Sequence, residues 1–299
     1  MGGELSIVGE QRLRIESEAL TVEVETAGGA ILSAATRDGR PVLSNGSAVG
    51  SADRTVCFPM VPVCNRVEGN AFSFRGKTYR LAPNADDPLY VHGDGWLGAW
   101  RDTGHEADEV RLMFDKEVAD GGPFAYRAEQ TIRVDGTRLE LRLGVTNRAA
   151  EPMPFGLGFH PYFPRTAQTT LHAAASDWWT EGEGSLPSVR RPISGEVDFS
   201  KARRLPESRL NNGFEGWEGQ ARILWPENGL GADVAASSNL GRYMIYAPTE
   251  TPDFFCFEPM SHTPNALAHA DDDLAGLRVL APGERLEVSM TISVFEAQG

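Results

Sequence analysis

Cysteine is scarce in this sequence. Three in 299 residues is an odd number in a long chain, which argues against a disulfide framework. Cys57, Cys64 and Cys256 therefore read as reduced thiols, as expected of a cytoplasmic protein. Positive charge is also short: 28 Lys+Arg against 42 Asp+Glu leave a formal net charge of −14. That balance excludes the basic face a nucleic-acid partner needs. No run approaches the ~18 apolar residues of a membrane span. The start, Met1-Gly2-Gly3-Glu4, lacks the basic and apolar stretches of a signal peptide. No membrane partner is expected. Long windows of helical period are missing too; Ser261–Asp273 could hold a short helix, but Pro264 interrupts it.

Several chemistries are absent. There is no Walker-type loop, no Gly-x-Ser-x-Gly elbow and no His-Glu-x-x-His. Cys57 and Cys64 stand seven apart with no second close pair, and no cluster offers three or four ligands at metal spacing. No metal is expected.

What is present suits a globular chain, with 41% hydrophobic and 23% charged residues. The clearest periodicity is two. Apolar and polar residues alternate in Thr21–Glu25, at Leu139, Leu141, Leu143 and Val145, and at Leu286, Val288, Met290, Ile292 and Val294. Turn pairs lie between such runs: Asp38-Gly39, Asn45-Gly46, Asp135-Gly136 and Asn228-Gly229. The stretch Glu181–Leu205, rich in Gly, Pro, Ser and Arg, reads as a long excursion. Together these predict a large all-β protein of two packed antiparallel sheets, one domain over residues 1–299 with its core at about 15–295.

Three polar islands sit in aromatic surroundings. The first runs from Asn65-Arg66 through Phe74-Arg75-Gly76-Lys77-Thr78-Tyr79 to His92-Gly93-Asp94-Gly95-Trp96. The second is Gly158-Phe159-His160-Pro161-Tyr162-Phe163, and the third Phe254-Phe255-Cys256-Phe257-Glu258-Pro259. A carboxylate after four apolar residues is costly to bury unless it is hydrogen-bonded or used. Burial would raise its pKa and make it a better base near neutral pH. Glu258 is thus a candidate base, with a solvent-facing glutamate at a strand end as the bland alternative. His160 is constrained by the proline that follows it, and His92 by glycines that let a ligand approach. Each could equally be a satisfied core histidine. The six tryptophans, Trp96 among them, read as core or as sugar platforms, with core favoured for most.

Taken together, the islands resemble the aldose 1-epimerase (galactose mutarotase) family over about Ile15–Phe295. The resemblance is carried by Asn65-Arg66 with a following Gly-Lys-x-Tyr turn, His92-Gly93, His160-Pro161-Tyr162-Phe163 and Glu258. Successive separations are 26, 68 and 98 residues from Arg66 onward. Leu210–Trp217 and Glu258–His262 resemble the bacterial branch. The resemblance implies a β-supersandwich with an open sugar cleft, no cofactor, and interconversion of the α and β anomers of a free aldose. It implies Glu258 as the base at the C1 hydroxyl and His160 as the acid at the ring oxygen. His92 and Arg66 become sugar-positioning residues, and Trp96 a further contact.

Ring opening removes a proton at O1 and delivers one at O5, for which a carboxylate and an imidazolium are natural partners. Where many relatives carry an aspartate, this chain has Asn211, implying one negative charge fewer in the cleft. A 6-phosphorylated or 6-sulfonated hexose then joins neutral hexoses as a candidate, with Arg101, Arg165 or Arg242 as its anion partner. A sugar is the one partner implied, and a monomer or homodimer is expected. A non-catalytic sugar-binding relative is the alternative. A glycoside hydrolase would need paired carboxylates, and only Glu258 is strongly placed.

Overall fold

Alternating apolar side chains make strands, and strands buried on one face must stack. The computed structural model, which describes residues 10–44, 55–118, 122–271 and 273–297, is built in this way. Its named strand pairings are all antiparallel, and the helical pieces among the described elements are 3-10 turns of three or four residues. No helix among the described residues is long and apolar enough to cross a membrane.

Two large sheets dominate. A nine-stranded sheet has the long central strands Tyr126–Asp135, Arg138–Asn147 and Arg285–Glu296. Leu139, Leu141, Leu143 and Val145 face the core from one of these, and Leu286 to Val294 at every second position from another. An eight-stranded sheet runs from Pro187–Pro192 through Asp177–Glu181, Leu210–Glu215, Arg242–Ala247 and Phe254–Met260 to Gly158–Phe159 and Pro59–Met60. Tyr162–Pro164 also pairs with Phe254–Met260. Phe163 joins the layers, stacking on Phe255 of its own sheet and on Trp225 of the other. A four-stranded sheet, Arg12–Glu16 to Pro41–Leu43, completes the main architecture. One apolar cluster extends from Leu13 to Val294 and takes residues from all three sheets.

The turn pairs fall where expected. Gly39, Gly136 and Gly229 all take positive φ, while Asn45-Gly46 lies outside the described residues. Among its described residues, the Ser261–Asp273 segment holds only the 3-10 turn Ala266–His269. The Glu181–Leu205 excursion is more regular than composition suggests. Pro187–Pro192 forms an edge of the eight-stranded sheet and Arg203–Arg204 an edge of the nine-stranded one. Both prolines sit on an edge strand, where a missing N–H costs no ladder bond.

Candidate active site

Strand Phe254–Met260 sets the site by simple alternation. Phe255 and Phe257 join the core between the large sheets. Glu258 is therefore on the opposite face, with Cys256 and Met260. That face is covered, not solvated: Glu258 is only 2% exposed, so the bland reading of a solvent-facing glutamate fails. Phe58, Met60, Cys64, Met244 and Met260 form a second, sulfur-rich apolar cluster here, with Trp96 and Tyr162 against it.

His160 meets Glu258 in this pocket. It follows strand Gly158–Phe159, and its N–H donates to the Phe58 carbonyl at 3.0 Å. The imidazole stacks on Phe58 and Tyr162, with centroids at 4.4 and 4.9 Å. Its Nε2 lies 3.3 Å from Glu258 Oε1. Gly158 is required for this approach, since a Cβ would come within 2.7 Å of the Pro259 carbonyl. Glu258 Oε2 and His160 Nδ1 are buried with no hydrogen-bond partner among the described residues. Orphaned buried polar atoms are costly in a core and ordinary where a ligand supplies the partner.

Burial sets the protonation of the pair. It pushes the Glu258 carboxyl up to about 8, against the downward pull of the Arg66 guanidinium. It takes the His160 imidazole down to about 3, with Arg66 acting in the same sense. At neutral pH the pair therefore holds one proton, on Glu258. The imidazolium expected from sequence is not the resting state, because an isolated charge is expensive in a dry pocket.

His92 and Arg66 complete the group. His92 stands edge-on to His160, with centroids 4.9 Å apart. It takes positive φ ahead of Gly93, where a Cβ would strike the Val61 carbonyl at 2.1 Å. Its Nδ1 is within reach of the Asn65 N–H at 3.3 Å and of Met60 Sδ at 2.9 Å. A backbone N–H is an obligatory donor and a thioether a weak acceptor, so Nδ1 accepts and Nε2 carries the proton. Burial, then the charges of His160 and Arg66, holds His92 well below the usual histidine range. It is a neutral donor. Arg66 is aimed by Asp87, whose Oδ2 accepts from its Nε and Nη2 at 2.8 Å each.

Trp96 flanks the site but donates its indole N–H to the Val91 carbonyl at 3.1 Å, leaving only its ring for contact. It stacks on Phe58 at 5.3 Å. Asn211 lies on the site face two strands away, in register with Tyr246 and through it with Cys256. At strand spacings of about 4.8 Å and a rise of about 3.4 Å per residue, its Cα is about 12 Å from that of Glu258. Its Nδ2 donates to Glu181 Oε1 at 2.7 Å.

Glu181 puts a carboxylate beside Asn211. Burial raises its pKa, but bonds from Asn211, Arg209 and Ser185 outweigh this and the net shift is downward. The carboxylate is present, one strand over from the expected position. It pairs with Arg209, whose guanidinium lies 5.9 Å from the Tyr246 ring centre. The suggested anion partners are committed elsewhere. Arg101 pairs with Asp115, Arg165 bonds the Pro206 carbonyl, and Arg242 pairs with buried Glu215 at 2.7 Å. The cation acting on Glu258 and His160 is Arg66.

The fold also gathers three side chains of metal-ligating type. His160, Cys256 and Glu258 place one donor atom each within 4.8 Å of one another. Sequence spacing could not reveal a trio whose histidine lies 98 residues from its carboxylate. Sequence also missed Phe58, Tyr246, Asp87 and Glu181, none of which belongs to a motif, and gave no role to Tyr162, which lies inside one. His262, which carried no catalytic signal, is structural: its Nε2 accepts the Cys64 N–H at 2.9 Å.

The family model described as aldose 1-epimerase matches residues 11–293. The chain belongs to the aldose 1-epimerase family. It is an enzyme of the isomerase class. It is 38% identical over 284 residues to the Escherichia coli K12 protein YphB, described as uncharacterized, covering 92% of this chain and 96% of that one. It superposes with a TM-score of 0.90 on a crystal structure from Escherichia coli K12 provisionally named an aldose 1-epimerase. That match has 37% identity and covers 96% of this chain and all of the other. The galactose 1-epimerase of Lactobacillus acidophilus NCFM shares the fold, with a TM-score of 0.75 at 16% identity over 97% of this chain and 99% of its own.

Proposed function

We propose that the enzyme interconverts the α and β anomers of a free neutral hexose by acid–base ring opening and closure at the Glu258–His160 pair, the chain acting as one domain. The observation that carries this reading is the 3.3 Å contact between a buried carboxyl and a buried imidazole. A sugar lying between Glu258 and the Asn211–Glu181 end would present O1 to Glu258 and distal hydroxyls toward Asn211. The Trp96 ring face packs against its apolar side.

The proton account closes. The sugar hydroxyls favour the carboxylate–imidazolium form of the pair, reached by moving one proton across the contact, while Arg66 favours the carboxylate and opposes the imidazolium. Glu258 then takes the O1 proton while His160 gives its proton to O5, breaking the C1–O5 bond. The pair is left as carboxylic acid and neutral imidazole, the form burial favours at rest. The environment therefore stabilises the proton arrangement of the open-chain complex. Rotation about C1–C2 and the reverse transfers yield the other anomer. His92 donates from Nε2 without competing for the proton.

A neutral hexose is favoured because Glu181 supplies the charge that Asn211 lacks and Arg66 is already paired with Asp87. Anomer exchange followed by NMR or polarimetry on neutral and 6-anionic hexoses tests the reading. Exchange no faster than the buffer rate with every aldose offered would sink it.

A further inference from the structure

We propose that His160, Cys256 and Glu258 form a binding site for a zinc-class divalent cation, and that such an ion inhibits the enzyme by occupying its acid–base pair. All three side chains are buried, and their donor atoms lie within 4.8 Å of one another. Glu258 Oε2 and His160 Nδ1 are buried with no partner among the described residues, which is ordinary where a ligand completes the group.

The dimensions suit tetrahedral zinc. Bonds of about 2.0–2.3 Å place neighbouring ligands about 3.3–3.8 Å apart. The His160 Nε2 to Glu258 Oε1 separation of 3.3 Å is already such an edge. From a separation of at most 4.8 Å, bringing Cys256 Sγ to the third corner takes a movement of about 1.3 Å or less. The fourth position is left to water or a sugar hydroxyl. Charge also fits: a divalent ion with one thiolate and one carboxylate makes a neutral group, which burial tolerates. The Cys256 and Glu258 protons leave to solvent as the ion enters. An imidazole, a thiolate and surrounding sulfur-bearing Met60, Cys64, Met244 and Met260 select a thiophilic ion over magnesium or calcium.

Metal binding stands on this geometry alone, whereas inhibition rests on the proposed mutarotation, because the ion would hold the two groups that move the protons. Cobalt(II) added to the purified full chain should give a thiolate-to-metal charge-transfer band. Cys256→Ser should lose that band and weaken zinc binding by calorimetry at least tenfold, while Cys57→Ser keeps both. Should Cys256→Ser fail to fold, His160→Asn carries the same affinity test through the lost nitrogen. Zinc should slow anomer exchange, and EDTA should restore it. No band in the wild type, or a band surviving in Cys256→Ser, overturns the site. A Cys256-dependent band with exchange unaffected by zinc overturns the inhibition. A Cys256-dependent band in a protein without anomer exchange upholds the site and fails the proposed function instead.

Discussion

Glu258 Oε1 and His160 Nε2 lie 3.3 Å apart, and the outer atom of each group, Glu258 Oε2 and His160 Nδ1, has no partner among the described residues. Two ionisable groups are thus in contact on their inner sides and buried without a partner on their outer sides. Such an arrangement passes a proton between ligand atoms without exchanging it with solvent. Burial drives both groups toward neutrality, so the pair keeps one proton over a wide pH range.

Removing either partner should stop the chemistry and spare the fold. Glu258→Gln keeps the shape but cannot accept the O1 proton, and should lose about 10²–10⁴-fold in kcat. His160→Asn should lose a comparable factor. Stopped-flow polarimetry separates the terms: a rise in KM with kcat unchanged would demote the residue to binding.

The pH–rate profile should have an alkaline limb. Above about 8 the pair loses its one proton, and nothing remains to protonate O5. The value of kcat/KM should fall about tenfold per pH unit beyond that point. Arg66 pulls the Glu258 pKa down, so Arg66→Met should move the limb upward in addition to lowering the rate. A flat profile to pH 10 contradicts the assignment.

Stability should carry the same signature. Glu258 holds a proton to about 8 in the folded state, against an ordinary 4.5, so its contribution to stability falls as pH rises across that window. His160, held at about 3 against 6.5, adds stability as pH rises through its own window. The two oppose between 4.5 and 6.5, and only the Glu258 loss remains from 6.5 to 8. Glu258→Gln should therefore gain on the wild type by up to about 1.4 kcal/mol per pH unit in that last interval. Urea unfolding at several pH values reads this directly.

Asn211→Asp should be destabilising because of Glu181. The amide that donates at 2.7 Å would become a second carboxylate against the first. A loss of about 1–3 kcal/mol is expected, with the double variant Asn211→Asp/Glu181→Gln recovering most of it. No change in melting temperature for the single variant would show the contact to be dispensable.

Chelation should not lower activity. Proton transfer between carboxyl and imidazole needs no Lewis acid, so EDTA should leave the anomer-exchange rate the same or raise it. A rate that falls with EDTA and returns with zinc would contradict the mechanism.

Much of the fold was legible because strand alternation is local. Leu139 to Val145 and Leu286 to Val294 mark their strands within a few residues, and a period of two dictates which side chains share a face. The same rule placed Cys256 beside Glu258 and away from Phe255 and Phe257. It could not say which face was dry. Glu258, His160, His92 and Arg66 could be named as candidates from the order and spacing of short motifs, and the structure brings them together.

Tertiary structure alone decided how these residues act. Glu258 is buried because Phe58, Met60 and Cys64, nearly 200 residues earlier, close over its face. Its proton stays on the carboxyl because desolvation, which depends on every atom around a group, outweighs one guanidinium. Glu181 meets Asn211 because the two strands lie side by side. Cys256 becomes a third donor because His160 is delivered from a separate strand of the same sheet. A sequence specifies each side chain and its local direction; distance and dielectric arise only when distant segments meet.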